Sequence, residues 1–203
     1  MISTFLQFPP PTEGTKGAIT RTAHRLFLEQ GYHGTSMREI ARGAGLAVGG
    51  IYNHFSCKED IFTVVLLEYH PIREVLPALK DARGENVEAF VRDSARRMVA
   101  TIGERTDFLN LMFIEFVEFK GRHIPEIFHL VFPHILDFVQ PLMNGQENLR
   151  PFPIPVMLRA YLGLFFSYII TGMLMSRELS AQWEDHTLDD FVDIFLHGIL
   201  TDK

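Results

Sequence analysis

Residues Ser36 to Phe55, SMREIARGAGLAVGGIYNHF, constrain the fold more than any other stretch, because they set two short helical apolar patterns on either side of a glycine turn. The Ser36 hydroxyl can cap the first amides of a helix while Glu39, three residues on, reaches back to the cap's own N–H. Ile40 and Ala41 then face inward, and the small Ala41 lets a second helix approach closely. Gly45 is the residue expected to adopt the left-handed conformation that ends the helix and turns the chain. Leu46 and Ile51 supply the apolar side of the next helix. That arrangement leaves Ala47, Val48, Gly49, Gly50, Asn53 and His54 outward, with Tyr52 at the edge. A short second helix held in this way can enter a major groove, so double-stranded DNA is the expected partner.

Chemistry assigns each outward residue a role. Tyr52, His54 and Lys58 can donate to phosphates, as can Thr35 and Ser36 at the first motif helix's N-terminus, and Arg38 is counted with them. Asn53 suits a phosphate or a base edge. Ala47 and Val48 offer apolar contact such as a thymine methyl, while Gly49 and Gly50 permit close backbone approach.

A net charge of −6 would argue against a nucleic-acid binder if it were spread evenly. Residues 14–70, however, hold six Lys and Arg against five Asp and Glu, and the acid excess lies beyond them. The basic surplus per subunit is small, so useful affinity calls for two subunits acting together.

The stretch from about Lys16 to Tyr69 resembles the tetracycline-repressor (TetR) family of transcriptional regulators. The resemblance rests on Ile19, Ala23, Leu26 and Phe27 of a first helix, Gly31-Tyr32 after it, Thr35-Ser36, Ile40-Ala41, Ala44-Gly45-Leu46, Gly49, Ile51-Tyr52, His54-Phe55 and Lys58-Glu59. Ala47 departs from it, standing where many relatives carry Ser or Thr, and this removes a capping hydroxyl and a phosphate contact. The resemblance implies a three-helix DNA-binding domain ahead of a variable effector-binding domain. It also implies a homodimer joined by the last two long helices, a palindromic operator, and release by a small effector.

From Lys58 onward the chain reads as helix after helix, without an alternating β-type run of useful length, so the expected class is all-α with about nine helices. Ser56 and Glu59 are expected to form a second capping box, and Pro71 and Pro77 to kink or end the helix that follows. The expected division is an arm over 1–14, a DNA-binding domain over 15–70, and a ligand-binding and dimerisation domain over 71–203. Closing helices over about 155–179 and 188–201, the second capped by Thr187, carry the surplus apolar surface a homodimer would bury. The helix from Lys58 begins beside the DNA reader and is the expected lever between reader and effector.

Aromatic area in the middle helices exceeds what a small core needs. It suggests a pocket for an apolar or aromatic effector lined by Phe108, Met112, Glu115, Phe116, Phe119, Phe128, Phe132, Phe165 and Tyr168. Glu115 shares a helix stripe with Phe108, Met112 and Phe119, so its acid needs a partner, either a ligand donor or Arg96 or Arg97.

Other classes find little support. His123, His129 and His134 are spaced by six and five residues, unsuited to one helix face, so no metal site is expected. GxSxG, HExxH and a P-loop lysine are missing, and Gly43, Gly45 and Gly49 miss the dinucleotide spacing by one residue, so neither catalysis nor a cofactor is expected. The single Cys57 allows no intrachain disulfide, which fits a cytoplasmic protein. The apolar run over 160–176 falls short of the roughly 20 residues a membrane span needs. The remaining alternative is an all-helical protein-interaction adaptor that ignores DNA.

Overall fold

The computed structural model describes residues 11–103, 105–143, 149–174 and 188–199, and among them the chain is all-α. In chain order the helices are α1 (Gly14–Gly34), α2 (Met37–Gly43), α3 (Val48–Ile51), α4 (Lys58–Glu68), α5 (Ile72–Lys80), α6 (Val87–Gly103), α7 (Thr106–Glu118), α8 (Ile124–Met143), α9 (Ile154–Leu174) and α10 (Leu188–Ile199). They fall into two compact units: residues up to Ile72 together with Arg105–Pro133, and Arg73–Glu104 together with His134 onward.

The first unit is built on α1, whose Ile19, Ala23 and Phe27 recur every fourth residue and are all but sealed from solvent. Gly31, at φ 73°, breaks the helix before its last residues, where the sequence places its end. α2, α3 and α4 close over the α1 stripe through Ile40, Ala41, Ile51, Ile61, Phe62, Val65 and Leu66. Phe108, Leu111, Met112 and Phe119 of α7 and Ile127 of α8 belong to the same core. The apolar side of residues 36–55 is therefore finished by residues some 50 places further along, and the compact unit does not stop at residue 70.

The second unit packs α6 against α9 and α10, with Val91, Ala95, Met98, Phe165, Val192 and Leu196 at its centre. Arg92 pairs with Asp193 and Arg96 with Asp189, tying α6 to α10. Ser94 Oγ and Tyr161 Oη lie 2.6 Å apart inside it, a polar pair in an otherwise apolar core.

Several local expectations change. The start of α4 is capped by Asp60, whose Oδ2 accepts the Ser56 and Cys57 N–H groups, and not by Glu59, which turns to Arg122 instead. α4 ends at Glu68 with Tyr69 as its C-cap, because the residue before a proline is driven out of the helical region. Pro71 thus ends the helix, one of the two expected outcomes, and the kink at Pro71 expected of the lever is not formed. Pro77 lies within α5. The arm is tied at its end, where the Thr12 hydroxyl donates to Glu68 Oε2 at 2.9 Å. α9 begins at Ile154, so its apolar stretch, Ile154–Met173, is long and apolar enough by length and composition to cross a membrane, although Arg159 interrupts it. The Thr187 cap, the end of the 155–179 segment and residues 200–201 lie outside the described residues.

Candidate nucleic-acid interface

α2 is fixed at both ends by contacts among near neighbours. The Ser36 Oγ accepts the Glu39 N–H at 3.2 Å and Glu39 Oε2 accepts the Ser36 N–H at 2.9 Å, the reciprocal cap expected of this spacing. The Ser36 hydroxyl, which donates to Glu39 Oε2 at 2.7 Å, and the Ser36 N–H together hold the Glu39 carboxyl below its ordinary range. At the other end Gly45, at φ 74°, lets the Leu46 N–H reach back to the Ala41 carbonyl at 2.8 Å. Gly43 is where α1 and α2 touch, since a Cβ there would stand 2.6 Å from Thr22 Cγ2.

α3 is one turn long, and its cap residue Ala47 makes no side-chain hydrogen bond, as the missing hydroxyl requires. Hydrogen bonds from Asn53 to Gly50 and from His54 and Phe55 to Ile51 continue the coil for another turn. Only Ile51 and Phe55 point inward. Ala47, Val48, Gly49, Tyr52, Asn53 and His54 are exposed, Tyr52 to 54 %, so the segment offers an almost unbroken outer face. Exposed Arg38 and Arg42 on α2 add positive charge to it. Lys16 joins them: its Nζ lies 5.2 Å from the Phe55 ring centre, at the far end of the reading segment. Nothing in the sequence pairs Lys16 with Phe55, 39 residues apart, so this cation could not be placed from the sequence alone.

Two expected phosphate donors face inward. Thr35 is buried, its hydroxyl donating to the Gly31 carbonyl at 2.9 Å, because it serves to hold the end of α1. Lys58 spends two of its three N–H donors on the Tyr32 and Thr35 carbonyls at 2.6 and 2.7 Å, with its Nζ 4.1 Å from the Tyr32 ring centre. Burial lowers the Lys58 ammonium from the ordinary lysine range and pushes the Tyr32 phenol up to about 12. Lys58 thus acts as a strut between α4 and the α1–α2 turn.

The expected effector-pocket residues do not gather in one unit. Phe108, Met112, Glu115 and Phe119 are buried in the first unit's core, while Phe116 and Phe128 are more than half exposed. Phe132 stacks on Phe128 with ring centres 4.5 Å apart. Phe165 and Tyr168 lie in the second unit, where Tyr168 meets the edge of Phe191. Of these aromatics, Phe108 and Phe119 cover the helices of the first unit. Glu115 is partnered by His123 and not by Arg96 or Arg97, which bind Asp189 and Asp93. Among the described residues no cluster of metal-ligating side chains occurs.

Residues 19–65 match the family model described as bacterial regulatory proteins, tetR family. This N-terminal segment is of the tetR family. Among curated tetR-type relatives it is 33 % identical over 97 residues to the HTH-type transcriptional repressor KstR2 of Rhodococcus jostii (strain RHA1), a match covering 42 % of this chain and 47 % of that protein. It is 32 % identical over 88 residues to the HTH-type transcriptional activator FasR of Mycolicibacterium smegmatis, covering 39 % of this chain and 40 % of the relative. The matches to these two relatives span less than half of their length. The crystal structure of NalD, the secondary repressor of the MexAB-OprM multidrug efflux pump in Pseudomonas aeruginosa, shares the fold of this chain. Its TM-score is 0.60 at 23 % identity, over 93 % of this chain and 97 % of NalD.

Proposed function

We propose that this tetR-family chain is a ligand-responsive transcriptional repressor that binds a palindromic operator as a homodimer. The observation that carries the DNA reading is the outer face of residues 47–54, exposed on a rigidly capped and glycine-turned support and flanked by Arg38, Arg42 and Lys16. In this reading Ser36, Arg38, Tyr52 and His54 approach phosphates, and Ala47, Val48, Gly49, Gly50 and Asn53 approach base edges. KstR2's role as a repressor favours repression, while FasR is an activator.

The dimer reading is supported by the second unit's uncovered apolar face. Ile194 on α10 is 75 % exposed, and Val156 and Met173 on α9 are about half exposed. Phe152, Gly163, Phe191 and Phe195 line an open recess along the same two helices. A second copy laid across α9 and α10 would take this surface out of water. An apolar or aromatic effector is assigned to the C-terminal helices, where the Ser94–Tyr161 pair offers polar groups within an apolar interior.

A gel shift against the gene's own upstream region tests the first reading, and native mass spectrometry of the purified protein tests the second. A retarded duplex with two subunits bound supports both. A lone subunit that retards no duplex in dilute salt refutes them and favours the helical adaptor. Coupling of about 1–3 kcal/mol between effector and operator suffices for a useful response. Operator affinity that stays constant with every ligand that binds would rule out effector control.

A further inference from the structure

Two adjacent residues at the start of α4 grip different parts of the first unit. Lys58 holds the carbonyls where α1 hands over to α2. Glu59 receives Arg122 Nη1 at 2.6 Å and faces His123 Nε2 at 3.7 Å. Arg122 and His123 belong to the turn between α7 and α8, which Lys120 and Gly121 shape with φ of 56° and 78°.

That turn is fixed from inside. Glu115, 0 % exposed, accepts the His123 backbone N–H at 2.8 Å, and its other oxygen lies 2.7 Å from His123 Nδ1. One carboxylate therefore sets both the backbone and the ring of one residue. The imidazole stands against Phe62 and Phe119, and Phe119 meets Tyr32 edge-on at 4.8 Å. A carboxylate in an apolar core costs stability unless it is paired, and an apolar side chain would fill the same space without that cost. The carboxylate instead specifies the geometry of the turn.

We propose that Glu115 is a positioning residue for the helix-turn-helix. Through His123 it sets the α7–α8 turn, the turn holds Glu59, and the start of α4 carries Lys58 and with it the end of α1 that leads into α2. This inference rests on residues 36–55 being the DNA reader, but the coupling itself can be measured without DNA.

The experiment is amide hydrogen exchange on the full chain, comparing wild type with Glu115→Leu, Glu115→Gln and Glu59→Ala. Leu111→Ala, one turn earlier on α7, is the control for general loosening of the same core. Glu115→Leu strands both His123 donors and should speed exchange in peptides covering 36–46, 58–62 and 119–124. Glu115→Gln keeps an acceptor for the His123 N–H and should restore most of the protection. Glu59→Ala, cut at a half-exposed side chain, should loosen 36–46 even if the leucine variant fails to fold. Protection of 36–46 unchanged in Glu59→Ala overturns the proposal, as does the same pattern of loosening in Leu111→Ala.

A second arm uses the duplex that wild-type protein enriches from a random library. Glu59→Ala should lose affinity about fivefold with its salt dependence unchanged. Wild-type affinity in that variant overturns the proposal. If wild type enriches no duplex, the DNA reading fails while the exchange result still decides the coupling.

Discussion

Replacing Lys58 by methionine separates a strut from a phosphate contact. Methionine keeps an unbranched stem beside Tyr32 and removes the ammonium, so the Tyr32 and Thr35 carbonyls lose donors at 2.6 and 2.7 Å. Hydrogen bonds to charged groups contribute about 1.5–3 kcal/mol each, and a cation over an exposed ring about 0.5–1 kcal/mol more. The desolvation that lowers the ammonium's pKa opposes the gain, so the net expected loss is about 2–3 kcal/mol. Urea unfolding of wild type and Lys58→Met measures it as a fall in midpoint at constant slope. The decisive companion is the dependence of duplex affinity on salt, since each phosphate neutralised adds about 0.9 to the slope of log K against log salt. A strut leaves that slope alone, and any loss of affinity is the same factor at every salt concentration. A slope reduced by about one per subunit, with stability intact, would refute the reasoning and return Lys58 to the phosphates.

Other expectations follow from the same geometry. Gly45→Ala forces an L side chain to φ 74° and should cost about 1–2 kcal/mol in urea unfolding; an unchanged midpoint would count against the turn. Arg38→Ala, at an exposed position on α2, should weaken binding to all duplexes alike and lower the salt slope by about one. Ile194→Asp, at a residue 75 % exposed, should yield a monomer in sedimentation with its helical circular dichroism intact, and a persistent dimer would move the interface elsewhere. His70 is buried beside Phe108, and burial lowers its pKa from 6.5 to about 4. The unfolded imidazole takes up a proton below 6.5 while the folded one resists until about 4, so stability should fall by about 3 kcal/mol as pH drops through that window. His70→Gln should flatten that part of the pH–stability curve, and an identical curve would show that His70 is not its source.

What the sequence discloses is governed by how far apart the partners lie. The Ser36–Glu39 cap, the Gly45 turn and the inward set Ile40, Ala41 and Ile51 depend on neighbours within a few residues, and the structure bears them out. Lys58 reaches carbonyls 23 and 26 residues away, so its charge read as available when it was already engaged. Glu115 was recognisable as an acid needing a partner, but that partner stands eight residues on, brought back by a left-handed turn that no periodicity reveals. The surplus of phenylalanine was plain, yet composition does not tell a cavity lining from a cover for another segment's core. α7 uses Phe108 and Phe119 for the second purpose.

Gly49 and Gly50 occupy half of α3, and a methyl group placed on either would meet no atom within 4 Å. Glycine in a helix forgoes about 1 kcal/mol relative to alanine, so the fold would tolerate and even welcome larger residues at both positions. Their bareness serves nothing inside the molecule. With residues 47–54 reading bases as proposed, the same two sites are blank positions on which new base preferences could be written without repacking the scaffold beneath.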